Sequence, residues 1–224
     1  MKTSARQRDM ILLTLFAIAM AHVEASLVIH LRSLYYPDNP LALFPLVLLS
    51  HRDLFIEIAR ESATIVMILT VAMLTARGWR RVFTTFIYVF GLWDLFYYLW
   101  LKLMIGWPVD WLEWDVLFLI PWPWLGPWIA AALIALLFSI WGGWVLLAVP
   151  QARFGRAAMV LFSIGALFVL AAFLSSALPL LPEGEAALRH FEPGSFTWGF
   201  YLTGYLMMAI GLWRTARSGK IDPR

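Results

Sequence analysis

A membrane-crossing helix takes roughly 20 mostly apolar residues, and six stretches of this chain meet that description. They are about Met10–Leu31, Asp53–Ala76, Val82–Ile105, Pro127–Val149, Ala157–Leu178 and Phe196–Trp213. So many apolar runs in 224 residues leave little else to cover a water-soluble core. Composition agrees: 62% of residues are hydrophobic and 14% charged, where a soluble domain carries about 25% charged residues. Mean hydropathy is +0.78. The expected fold class is all-α: a polytopic membrane bundle of six transmembrane helices, with residues 1–224 forming one integral membrane domain.

The first span does not read as a cleavable signal peptide. Its apolar run continues to Val28 and Ile29, with no small-residue cleavage site and polar start after it. Cysteine is absent, which excludes disulfides, thiolate metal sites, Fe–S clusters and cysteine nucleophiles. The sequence pI near 9.4 comes from basic residues at segment ends, a topology signal rather than a nucleic-acid footprint. Lys2, Arg6, Arg8, Arg77, Arg80, Arg81, Arg153, Arg156, Arg214, Arg217, Lys220 and Arg224 fall on one side of a six-span arrangement. Arg32, Arg52, Arg60, Lys102 and Arg189 fall on the other. Basic residues concentrate on the cytoplasmic side, so both termini are expected there, in a bacterial inner membrane. The expected partners are the lipid bilayer and other membrane subunits, with no nucleic acid.

The outer connections differ from one another. Tyr35–Pro40 is turn chemistry, and Leu41–Ser50 after it is too short to span; it is expected to form an interfacial or re-entrant helix. Gly106–Pro127 carries Trp107, Trp111, Trp114, Trp122 and Trp124 among Asp110, Glu113, Asp115 and several prolines. Indoles favour the headgroup zone, so this segment is expected along the outer interface. Leu181–Ser195, with Glu183, Glu185, Arg189, His190 and Glu192, reads as a polar outer loop. Gly142-Gly143 invites close helix approach.

The chemistry concentrates in the first three spans. Asp53, Glu57 and Glu61 recur every four residues and form one carboxylate stripe on a helix, with Arg60 able to pair with Glu57 at i,i+3. With a rise of ~1.5 Å per residue, Glu57 lies ~6 Å and Glu61 ~12 Å inward of Asp53. Glu24 of the first span and Asp94 of the third fall at overlapping depths, with Tyr97, Tyr98 and Lys102 further out. One shared site of Glu24, Glu57, Glu61 and Asp94 is expected, supported by Asp53, Arg60, His30 and Tyr98. His22 and Glu24 face nearly opposite ways on their helix, and the carboxylate is expected inside because its exposure to lipid costs more. His51 and His190 read as surface residues, and Trp93 and Trp100 as packing residues.

Ionisable groups at membrane depth are expensive and mark function by default. The leading expectation is a site that binds or moves a proton or small cation through carboxylate oxygens. A second reading makes the chain an accessory subunit of a larger, respiratory-type membrane complex. A third is a metal-dependent enzyme acting on a lipid-soluble substrate, with His22 or His30 joining Glu24, Glu57 and Glu61 around a transition metal. No Glu-x-x-His motif supports that last reading. A metal ion is the one cofactor the residues suggest. Against all three stands a purely structural reading, in which Arg32, Arg52, Arg60 and Lys102 neutralise the acids as ion pairs.

Overall fold

The structure, a computed structural model, describes residues 2–149, 152–183, 189 and 191–218. Among these residues six α-helices follow in chain order: α1 (Lys2–Tyr35), α2 (His51–Thr75), α3 (Trp79–Ile105), α4 (Trp128–Ala148), α5 (Arg156–Leu174) and α6 (Trp198–Ser218). Each covers one expected apolar stretch, its ends shifted by a few residues, and α1 starts two turns early. The helices α1, α3, α4 and α5 are long and apolar enough to cross a membrane, an architecture compatible with a multi-pass membrane protein. α2 and α6 have the length, at 25 and 21 residues. α2, however, loads its first three turns with Arg52, Asp53, Glu57, Arg60 and Glu61, and α6 interleaves Tyr201, Thr203, Tyr205 and glycines.

α3 is the hub. It packs against α1, α2 and α4, while α5 and α6 form the tightest pair and reach α4 through α6. Small residues set these approaches. A Cβ on Gly91 would sit 2.5 Å from the Ala135 carbonyl oxygen of α4, and one on Gly142 would sit 2.8 Å from Tyr88 Cβ of α3. By contrast α1 and α2 each lean on α3 and do not pack along one another.

The connections expected to hold short interfacial helices fold otherwise. Residues 36–50 form no helix. Pro40 and Pro45 stand at the start and in the middle of the run, and each removes an amide donor and blocks the turn before it. Gly106–Pro127 is not a flat aromatic layer. It contains an antiparallel hairpin of β1 (Trp114–Phe118) and β2 (Trp124–Pro127), registered Trp114 to Pro127 and Val116 to Leu125. The aromatic and β-branched residues suit strands, and the prolines at 121 and 123 sit in the turn between them. Its indoles are correspondingly divided. Trp111 is 75% exposed, but Trp107 is wholly buried beneath the Arg32 guanidinium, 3.9 Å from the ring centre. After α5, Leu178–Glu183 is a single 3-10 segment. Arg189 and Glu192 are exposed, whereas Glu185, His190 and the Glu183 side chain lie outside the described residues.

Candidate functional site

Between α1, α2 and α3, under the hairpin and residues 43–49, lies a partly open cavity of about 430 Å³. Glu24 of α1, Glu57 and Glu61 of α2, and Asp94 of α3 all line it. Four-residue spacing on α2 and the inward face of α1 bring these carboxylates to a common space. Arg60 and Tyr98, read as supporting residues, line it as well. Asp53 and His30 do not. Asp53 sits at the start of α2, where the Ser50 hydroxyl donates to its carboxylate at 2.7 Å and accepts its amide at 3.2 Å. His30 is exposed and bonds the Ser26 carbonyl of its own helix at 2.6 Å.

Arg60 is the central cation. Its guanidinium pairs with Glu24 across the gap between α1 and α2, and its Nε donates to Glu57 Oε2 at 2.8 Å. Thr64 adds a weaker bridge, donating to Glu24 at 3.4 Å. A second pair closes the other end: Arg32 Nη2 lies 3.3 Å from Asp115 Oδ1, with both side chains buried. Tyr98 donates to Asp115 Oδ2 at 3.4 Å, and the Val116 amide donates to Oδ1 at 3.0 Å. Burial pushes the Asp115 carboxyl up to about 6, against the opposing pull of Arg32 and these hydrogen bonds.

Two carboxylates form no ion pair among the described residues, although the charge of Arg60 still acts on Glu61. Glu61 is 6% exposed and accepts the Leu119 amide through both oxygens, at 2.9 and 3.2 Å, but makes no ion pair. Asp94 receives no hydrogen bond and no ion pair from the described residues. The other two bases of the neutralising reading are elsewhere. Lys102 donates to the Gly106 and Pro108 carbonyls, closing the end of α3, and Arg52 is exposed. Five acids and two arginines therefore line the cavity, a formal excess of three negative charges when all are ionised.

The histidine-assisted metal arrangement is not assembled. His22 is exposed and packs edge-on against Trp100, ring centres 4.7 Å apart, while Glu24 faces the cavity. Among the described residues no group of three or more His, Cys, Asp or Glu is placed to hold a metal ion. His51, read as a surface residue, is exposed but also reaches the cavity lining.

Asp115 is the residue that sequence reasoning left out of the site. It is 83 residues from its partner Arg32, on a segment read as interfacial. The one available signal was Arg32, a cation in the last turn of α1 with no acid on its own helix close enough to pair. Trp93, read as packing, also turns out to line the cavity. Chemically, the arrangement offers oxygen ligands, phenol and threonine hydroxyls, and the positive charge of two arginines in a mostly apolar chamber. Compared with known proteins, this chain matches no family model, no curated protein and no solved structure.

Proposed function

We propose that this chain is a six-span protein of a bacterial cytoplasmic membrane, with both termini inside, whose cavity takes up a proton or small cation from the outer side. Glu61 and Asp94 are the primary acceptors, and Glu24 and Glu57, held by Arg60, form the rest of the acidic wall. The observation that supports this reading is the pair of carboxylates, on two helices and one cavity, that stand outside the ion pairs of the described residues. An ionised carboxylate without a partner costs several kcal/mol inside a protein. A proton or a bound cation would relieve that cost at Asp94, and would add to what the Leu119 amide gives Glu61. The basic bias of the even-numbered connections and both ends supports the orientation.

The experiment is a cation and pH titration of thermal unfolding in detergent, on the parent protein, Glu61→Gln and Asp94→Asn. Sodium, potassium, lithium and calcium are added separately, and flux is followed in liposomes. The expected result is stabilisation by at least one cation or by protons in the parent, lost in both variants. Identical responses in all three proteins would overturn the reading.

A further inference from the structure

The charges around the cavity favour a positive occupant and give a negative one little to hold. Glu24, Glu57, Glu61, Asp94 and Asp115 line it, against Arg32 and Arg60. Both arginines are engaged, Arg60 by Glu24 and Glu57 and Arg32 by Asp115. The remaining Nε and Nη1 of Arg32 are enclosed and do not face a ligand.

The acids nevertheless do not converge on a point. Among the described residues no three of them are placed to hold one metal ion, whereas a hard cation such as calcium gathers roughly six to eight oxygens at about 2.3–2.6 Å. The space is also larger than a bare ion needs. Its volume of about 430 Å³ falls within the roughly 300–1,000 Å³ of small-molecule pockets, and its lining is mostly apolar.

α3 supplies a place for the charge. Asp94 and Tyr97 stand three residues apart on that helix, and both line the cavity. Neither the Asp94 carboxylate nor the Tyr97 hydroxyl has a hydrogen-bond partner among the described residues, and both residues are half-buried, not enclosed. Tyr97 is positioned by ring contacts with Trp93 and Tyr98, at 6.5 and 5.1 Å between centres. A carboxylate and a phenol oxygen together match the N–H donors of a primary ammonium group.

We infer that the occupant is a primary organic amine in its ammonium form, carried on an apolar body, as in an arylalkylamine. This deepens the cation reading and rests on it. The ammonium is received by Asp94 and Tyr97, Glu61 adds attraction, and the body displaces water from the mostly apolar lining.

Thermal unfolding of the full chain in detergent, near neutral pH, tests this against the concentration of added probes. 2-Phenylethylammonium is compared with 2-phenylethanol and 3-phenylpropanoate, which share its body, and with methylammonium and sodium, which share its charge. It is expected to stabilise the parent at concentrations roughly tenfold below those that methylammonium or sodium need, a part of what burying a phenyl group is worth. The alcohol and the carboxylate should not stabilise. Asp94→Asn should abolish the response to the amine. The N-trimethylated amine keeps charge and body but has no N–H; the parent should prefer the primary amine several-fold. Tyr97→Phe, which keeps the ring and its contacts, should shrink that preference. Equal potency of 2-phenylethylammonium and methylammonium, equal stabilisation by the alcohol, or an amine response that survives Asp94→Asn overturns the inference. If methylammonium or sodium still stabilises the parent in that case, only the ligand class is wrong; if no cation or proton does, the cation reading falls with it.

Discussion

The two halves of this molecule join helices by opposite means. α5 and α6 meet backbone to backbone: a Cβ on Gly165 would stand 2.6 Å from the Gly204 carbonyl oxygen, and one on Gly211 would stand 2.8 Å from the Ala158 carbonyl oxygen. Nothing larger than hydrogen fits, and no polar side chain is needed. α1 and α2 are held apart instead, and what spans the interval is a guanidinium between two carboxylates. Small residues bring helices into van der Waals contact and leave no room. Long charged side chains do the reverse, keeping a space open while tying its walls together. The apolar half closes its helix contacts, and the charged half leaves a cavity of about 430 Å³ between its helices.

The contrast is broken most forcefully at the glycines. Gly204→Val drives a side chain into the backbone of α5, and overpacking of this kind costs about 1–3 kcal/mol or more. A large fall in the thermal unfolding temperature in detergent is expected. The same substitution at Gly199, which has nothing within 4 Å, should change little. Equal effects at the two positions would remove the distinction between close packing and helix propensity.

Arg60 is the matching test in the charged half. Arg60→Met leaves Glu24 and Glu57 without their cation, and breaking a buried pair in this way costs about 3–5 kcal/mol. Adding Glu24→Gln and Glu57→Gln should recover a good part of that loss, because the isolated charges are then gone. A triple variant as unstable as Arg60→Met alone would show that packing, not charge, sets the value of this residue.

Asp115 supplies a pH test. Its carboxyl is raised to about 6 by burial, above the roughly 3.9 of an unfolded chain. The folded state therefore binds the proton more tightly, and the stability linked to this group is fully present below about pH 4 and lost as pH climbs through 6. Unfolding temperatures measured between pH 4 and 8 should show that decline in the parent and a shallower one in Asp115→Asn. The slopes are compared, since the variant also alters the Arg32 pairing. Parallel slopes would contradict the assignment.

The smallest effect is expected at the mouth of α2. Ser50 caps the helix by accepting the Asp53 amide, and Ser50→Ala should cost about 1 kcal/mol. This variant should leave cation responses unchanged, because neither Ser50 nor Asp53 lines the cavity.

How far the sequence carries this account varies with the range of the interaction. Apolar runs report helices directly, since each helix satisfies its own backbone, and all six expected helices are present. The expectation that Glu24, Glu57, Glu61 and Asp94 fall at overlapping heights needed only a fixed rise per residue, and all four line the same cavity. Partners were not legible. Lys102 follows Asp94 by about two turns on α3, yet it turns to the carbonyls at the end of that helix. Side-chain direction, not spacing alone, decides that choice. The hairpin was hidden because its apolar and aromatic content suits an interface as well as a strand. With it went Asp115 and the Leu119 amide, its links to Arg32 and Glu61 of the cavity.

Negative charge in excess of two arginines faces a shared chamber. The absence of cysteine makes this directly measurable. A single thiol placed by Leu119→Cys, whose backbone amide already touches Glu61, can be modified with cationic and anionic thiol reagents of equal size. The account predicts that the cationic reagent reacts faster, by roughly tenfold at low ionic strength. It also predicts that the ratio collapses towards one when Glu61→Gln and Asp94→Asn are added. Equal rates before those substitutions, or a ratio that survives them, would contradict it.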